Sequence, residues 1–242
     1  MESPTVVSAD AWRKARLALL AKEKAHSRQR DALNRERQAL PWVKVDKPYS
    51  FAAAAGPLTL AELFAGQSQL IIQHFMFDPE WDAGCKSCSF MADHIDPSLV
   101  HLRQRDAAFA AVSRAPLEKL LAYKARMGWA FNWVSSYGSD FNRDFDVTCS
   151  EEQRSNNTCT YNFSQSGSFP ASEAPGISVF AKNQAGDIYH TYSVYARGLE
   201  NVITAYDLLD MLPKGRDEGG NNMAWVRRKD EYTEMSIPRS AE

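Results

Sequence analysis

The chain has 242 residues, enough for one large domain or a core with extensions. At 44% hydrophobic and 24% charged residues it has a globular profile, which excludes whole-chain disorder, collagen and coiled coil. With 28 basic against 30 acidic residues there is no excess positive charge to hold a polyanion, and no apolar run reaches the roughly 18 to 20 residues of a membrane span, so neither a nucleic acid nor a membrane is expected as partner.

Residues 1–10 are polar and lack the apolar run of a secretory leader, so the cytoplasm is the expected compartment, where ordinary thiols stay reduced. Residues 8–40 read as a helix opening at Ser8 and carrying Trp12, Leu17, Leu19 and Leu20, with a second half too basic and polar to bury a wide face. Such a helix stays solvated or docks a partner, including a second copy of the chain. Pro41 ends it, because proline removes a donor and disfavours helical geometry in the residue before it.

Residues 42–51 read as extended, and Thr59-Leu60-Ala61-Glu62 has the form of a capping box opening a short helix. Residues 69–77 (QLIIQHFMF) are almost continuously apolar, as suits a central strand buried on both faces. A loop then leads to Cys85-Lys86-Ser87-Cys88 and a following helix. A second buried strand spans 107–113, a helix follows Pro116 as far as Gly128, and a third strand covers 132–136. Strands alternating with helices imply an α/β sheet. Residues 177–182 and 187–195 flank the turn-rich 183–186 as a hairpin, and Asn201 is expected to cap a last helix running to Leu212. Between these parts, 137–176 reads as a polar insertion with an extended piece near 160–164. The expected organisation is an N-terminal helical extension at 1–40, a domain at 41–213, and a tail at 214–242 anchored by Trp225.

The chemistry concentrates at Cys85 and Cys88. A cycling dithiol needs one sulfur that attacks readily and a second near enough to resolve the mixed disulfide. A cysteine opening a helix meets unpaired N–H groups and the positive end of the dipole, which favour its thiolate. Cys85 is therefore the expected nucleophile and Cys88, one turn later, the resolving thiol, with Lys86 adding positive charge and Ser87 completing the motif. About 30 mV corresponds to 1.4 kcal/mol in this two-electron couple, so Lys86 and Ser87 can set whether the pair reduces or oxidises. The competing reading is a metal site. Zinc would recruit Cys149 and Cys159, whose ten-residue spacing matches no usual ribbon or finger, whereas copper would suit the CxxC with a histidine such as His190 or His94. Cys149 and Cys159 can also pair with each other.

Several segments together resemble a known family. The tripeptide Tyr49-Ser50-Phe51, the run His74-Phe75-Met76-Phe77, the CxxC, residues 112–116 (VSRAP), Met127-Gly128-Trp129, Asp140-Phe141-Asn142, residues 176–180 (GISVF), His190-Thr191-Tyr192-Ser193 and Ala196-Arg197-Gly198 are similar to the bacterial thioredoxin-like family catalogued as domain of unknown function family 899. Its members are often labelled dithiol-disulfide oxidoreductases. The resemblance covers nearly the whole chain and implies a thioredoxin-like core, a central mixed sheet flanked by helices, with Cys85 and Cys88 as redox pair and no organic cofactor. Thioredoxin itself has Trp before its first cysteine. Here Gly84 takes that place, Trp81 lies further back, and Pro175 is the candidate for the position of thioredoxin's cis-proline.

Other residues have plainer readings. His74 belongs to a strand interior and is expected to satisfy a buried hydrogen bond. Arg114 sits at the C-terminal edge of its strand, where it can steady a thiolate, bind an acidic substrate group or form a surface ion pair. Trp81 and Trp133 are candidates to line a groove beside the dithiol. Asp140, Asp144 and Asp146 lack the glycine and terminal glutamate of a calcium loop. The expectation is thus an enzyme that exchanges electrons with protein or small-molecule disulfides and thiols; the alternative is a copper or zinc protein using Cys85, Cys88 and His190.

Overall fold

A computed structural model describes residues 4–165 and 171–232. Residues 166–170 of the 137–176 insertion, 233–242 of the tail and 1–3 of the N-terminal extension lie outside the described residues. The chain divides into two compact units, residues 1–42 and 43–242.

The first unit is essentially one helix, α1 (Ala9–Gln38), whose N-cap Ser8 accepts a hydrogen bond from the Ala11 N–H. None of its residues is buried, and Trp12, Leu17, Leu19 and Leu33 all face solvent. A helix of this length without a buried face depends on its own hydrogen bonds and local pairs, such as Arg16 with Glu23 at 2.8 Å.

The second unit opens with short strands β1 (Val43–Lys44), β2 (Ser50–Phe51) and β3 (Leu58–Thr59). Helix α2 (Leu60–Leu63) starts at the Thr59 and Glu62 capping box that the sequence indicates. Strand β4 (Gln69–His74) leads to α3 (Lys86–Ile95), and α4 (Leu99–Arg103) precedes β5 (Ala107–Ser113). Helix α5 (Leu117–Met127) ends at Gly128, whose φ of 65° gives the left-handed stop, and β6 (Asn132–Ser135) follows. The insertion holds α6 (Phe141–Asp144), α7 (Glu151–Ser155) and the small hairpin of β7 (Thr160–Tyr161) with β8 (Ser164–Gln165). Strands β9 (Gly176–Lys182) and β10 (Ile188–Tyr195) complete the main sheet.

The six-stranded sheet has the order β1-β10-β9-β4-β5-β6. β4, β5 and β6 run parallel, and β9 lies antiparallel to β4 with β10 antiparallel to β9. Strand β4 is bonded on both sides, which is why its sequence carries apolar residues on both faces. Alternation divides those faces between two cores: Leu70, Ile72, Ala110 and Val112 pack with Phe51, Phe141 and Phe180, whereas Phe109 and Ala111 pack with Cys88, Met91, Phe131 and Trp133. The dithiol therefore belongs to one face of the sheet. A helix-opening CxxC after the central strand, parallel strands beyond it and a hairpin antiparallel to it make this a thioredoxin-like mixed α/β fold.

One expectation needs correcting. Asn201 does not cap a helix: residues 196–202 form a 3-10 turn, Asn201 donates to the Gly198 carbonyl at 3.0 Å, and α8 (Thr204–Asp210) begins after Ile203. Asp140 and Asp144, which the sequence places outside any calcium loop, both accept from the Lys47 ammonium, at 3.1 and 2.6 Å, and Asp144 also accepts from the Tyr49 hydroxyl.

Candidate active site

Cys85 is the N-cap of α3, with φ of −55° and ψ of 134°, outside the helical region, so the helix's first N–H groups are left without backbone partners beside it. Its backbone is fixed on both sides. The Cys85 N–H donates to the Met76 carbonyl at 3.0 Å, and its own carbonyl accepts from the N–H and hydroxyl of Ser89 at 2.9 and 2.8 Å. Cys88 is buried, its sulfur accepts from the Met76 N–H at 3.5 Å, and its carbonyl accepts from the Gln73 amide at 3.1 Å. Both thiols are free, Cys85 half-buried and Cys88 covered.

The two sulfurs are driven apart in acidity. The Cys88 thiol donates to Cys85, the N–H groups of Cys88 and Ser87 add their bonds, and the Arg228 guanidinium adds positive charge; together they outweigh burial and bring the Cys85 thiol down to about 6. Cys88 is pushed up, because its proton is shared with that thiolate and because burial disfavours its charge. Arg228 reaches the site from the tail. It donates to the Gly84 carbonyl and to the Tyr123 hydroxyl, both at 2.8 Å, and Tyr123 meets Ser89 at 2.9 Å. One network thus joins the tail, α5 and the first turn of α3.

Gly84 has a steric reason. A Cβ there would lie 2.7 Å from the Phe75 ring and 3.0 Å from the Tyr123 ring, so the tryptophan that thioredoxin carries before its first cysteine has no room in this fold.

The dithiol opens on a cavity of about 460 Å³. Met76, Met91, Leu199, Ile203 and Met223 supply apolar wall, and the insertion supplies Tyr161 and Glu173. Tyr161 ties two sides together, donating to the Pro175 carbonyl at 2.8 Å and accepting from the Ala196 N–H at 2.9 Å. It packs beside Cys149 and Cys159, which form a disulfide with a Cα–Cα distance of 5.8 Å. Glu173 is 2% exposed, accepts from Asn142 and Thr148, and pairs with Arg114 at 3.1 Å. Burial raises its carboxyl to about 7 against the pull of Arg114.

Of the residues the sequence singles out, Cys85, Ser87, Cys88 and Pro175 line this cavity. Pro175 does so through a trans peptide, since the described residues contain no cis bond. Lys86 is exposed, and the leading positive charge on Cys85 comes from Arg228. Arg114 is not among the lining residues and pairs with Glu173 and Asp78. Trp81 packs half-buried outside the cavity lining, and Trp133 is a core residue donating to Ser113 at 2.9 Å. His190 is on the other face of the sheet, among Phe145 and Phe180, in a chain of hydrogen bonds from His74 through Ser178 and Ser193. It therefore does not join Cys85 and Cys88. His94 is near the far end of α3 against Phe90. Among the described residues no group of three or more His, Cys, Asp or Glu side chains is placed to hold a metal ion. Sequence reasoning missed Tyr123, Tyr161, Glu173 and Arg228. Only Arg228 stood in a segment with a detectable signal, next to the anchoring Trp225.

Fold and site together define a thioredoxin-like chain with a helix-capping dithiol. Over residues 1–232 it matches the family described as "Bacterial protein of unknown function (DUF899)", and it belongs to that family. No curated protein matches it. Among solved structures it is similar to PrxQ of Xylella fastidiosa, at 14% identity over 67% of this chain and 89% of that one, with a TM-score of 0.41. The peroxidoxin BcpB of Mycobacterium tuberculosis shares 10% identity over 69% and 97% of the two chains, with a TM-score of 0.43. A putative protein disulfide isomerase of Bacteroides thetaiotaomicron shares 17% identity over 74% and 98%, with a TM-score of 0.39.

Proposed function

We propose that this protein is a thiol-disulfide oxidoreductase in which Cys85 attacks and Cys88 resolves. The observation that carries the reading is the asymmetry of the pair: a half-buried thiol lowered to about 6 opens on a cavity while a covered thiol, pushed up, sits one turn behind it. In the reductive direction the Cys85 thiolate forms a bond to one sulfur of a substrate disulfide, whose S–S bond breaks and releases one thiolate. Cys88 then loses its proton and attacks Cys85, expelling the second thiolate. The protein pair gives up two electrons and the substrate gains them; a dithiol reductant restores the pair. In the oxidative direction the same steps reverse.

In this reading Ser87 donates its N–H to the thiolate, Pro175 forms the facing wall, and Arg114 acts at a distance by holding Glu173. Lys86 and Trp81 take supporting places around the motif, and the substrates are disulfides or thiols with no organic cofactor. The working division is the domain at 41–213 with its insertion, the extension at 1–40 and the tail at 214–242. The unburied apolar residues of α1 favour a homodimer formed through that helix, tested by comparing the sedimentation of the full chain with that of residues 41–242. No helix among the described residues is long and apolar enough to cross a membrane. With the cytoplasm as compartment, the Cys149–Cys159 bond persists only if its potential is low enough to resist the glutathione pool.

The experiment is differential alkylation with peptide mass mapping across glutathione and dithiothreitol redox buffers. The expected result is that Cys85 and Cys88 convert as a pair at a potential within roughly −120 to −270 mV, the span of thiol oxidoreductases. Independent behaviour of the two thiols refutes the reading.

A further inference from the structure

The cavity beside Cys85 says what kind of disulfide it receives. Its walls near the dithiol are thioether and aliphatic, from Met76, Met91, Met223, Leu199 and Ile203. Its charged lining residues are Glu173, Glu200 and Arg197, and each already has a partner. Glu200 is paired with Arg216 at 2.7 Å and with Arg197 at 3.1 Å, and Arg197 carries its side chain 83% exposed at the rim. Glu173 is held by Arg114. Arg197, the one cation among the lining residues, is therefore already paired, and the remaining lining near the thiols is apolar. A volume of about 460 Å³ falls in the range of small-molecule sites, roughly 300 to 1,000 Å³. Flexible methionine walls adapt to varied apolar shapes.

We infer that the substrate of Cys85 is a small, uncharged, apolar disulfide rather than an anionic one such as oxidised glutathione. This rests on the dithiol reading and refines it. The thiolate enters a bond with one sulfur of the apolar disulfide, one apolar thiol leaves, Cys88 resolves, and a second thiol leaves. Two electrons pass from the cysteines to the substrate, and a dithiol reductant, supplied in the test as dithiothreitol, returns them.

The test uses the full chain, prereduced and mixed in a stopped-flow instrument with 2,2′-dithiodipyridine, which is neutral, or with 5,5′-dithiobis(2-nitrobenzoate) or oxidised glutathione, which are anionic. Each rate is divided by the rate of the same probe with free 2-mercaptoethanol, which removes the probe's own reactivity. The normalised rate of the neutral probe should exceed that of both anions by about tenfold or more, equivalent to about 1.4 kcal/mol, and should saturate with concentration as the cavity fills. Met223→Lys, which places a cation on a half-buried wall position, should shrink that ratio at least threefold while the Cys85–Cys88 disulfide still forms. Equal normalised rates, or faster reaction with the anions, overturn the substrate class alone if mass mapping shows the Cys85–Cys88 disulfide forming. If no probe yields that disulfide, the dithiol reading itself fails and the substrate class falls with it.

Discussion

Two cysteine pairs in one chain have opposite fates. Cys85 and Cys88 are three residues apart on one helical turn, remain thiols, and differ sharply in acidity. Cys149 and Cys159 are ten residues apart around α7, both buried, and bonded to each other. What separates the pairs is the backbone around them. The first pair sits where unpaired N–H groups and Arg228 stabilise one thiolate, and the second sits in a small apolar cluster with Ala174 and Tyr161. Environment, more than cysteine spacing, assigns the role.

The largest effect should come from the first pair. Cys85→Ser should abolish disulfide exchange while leaving the urea midpoint nearly unchanged at pH 5, where the thiolate contributes no stability, and Cys88→Ser should accumulate a mixed disulfide visible by intact mass. A large loss of stability in Cys85→Ser would erase the contrast. Removing the second pair should do the reverse. The Cys149→Ser/Cys159→Ser variant should lose about 2 to 3 kcal/mol by equilibrium unfolding, the scale for closing a loop of this length, with alkylation of Cys85 retained.

Titration sharpens the difference further. Glu173 has its carboxyl raised in the folded protein, so its contribution to stability is complete below about 4.5 and is lost as pH rises through about 7. Cys85 is lowered, so its contribution is present above the usual thiol value and is lost as pH falls through about 6. The Glu173 share of the unfolding free energy should therefore fall by on the order of 2 kcal/mol between about pH 4.5 and 7, offset in part above pH 6 by the gain at Cys85, and Glu173→Gln should remove that fall. A decline of unchanged size in the variant would assign it to another group. The smallest effect concerns Arg228→Met, which should move the midpoint of Cys85 alkylation upward from about 6 by up to about one unit. An unchanged midpoint would show that the N–H groups and Cys88 suffice.

Much of the fold was readable in the sequence because its signals are local. The apolar run at 69–77, the Thr59 and Glu62 box, and the Gly128 stop each act within one turn or strand, and each element formed where expected. The place of the CxxC at a helix start after a strand was equally legible, since that placement needs no distant partner. What the sequence hid depends on contacts across the chain. Tyr161 reaches Pro175 and Ala196 only because the insertion folds over the helix opening, and Arg228 reaches Gly84 across 144 residues. Glu173 reads as a surface acid in a polar stretch and becomes buried through Asn142, Thr148 and Arg114. Trp133 misled in the other direction, because its place on a parallel strand turned it into the core.

The reach of Arg228 makes the last stretch of the chain a tuning element for thiol chemistry rather than a handle. Its guanidinium is the only group of the tail that touches the carbonyl just before Cys85, among the described residues. Clipping by a protease before residue 228 would leave the central sheet and both cysteine pairs in place yet yield a more sluggish thiol.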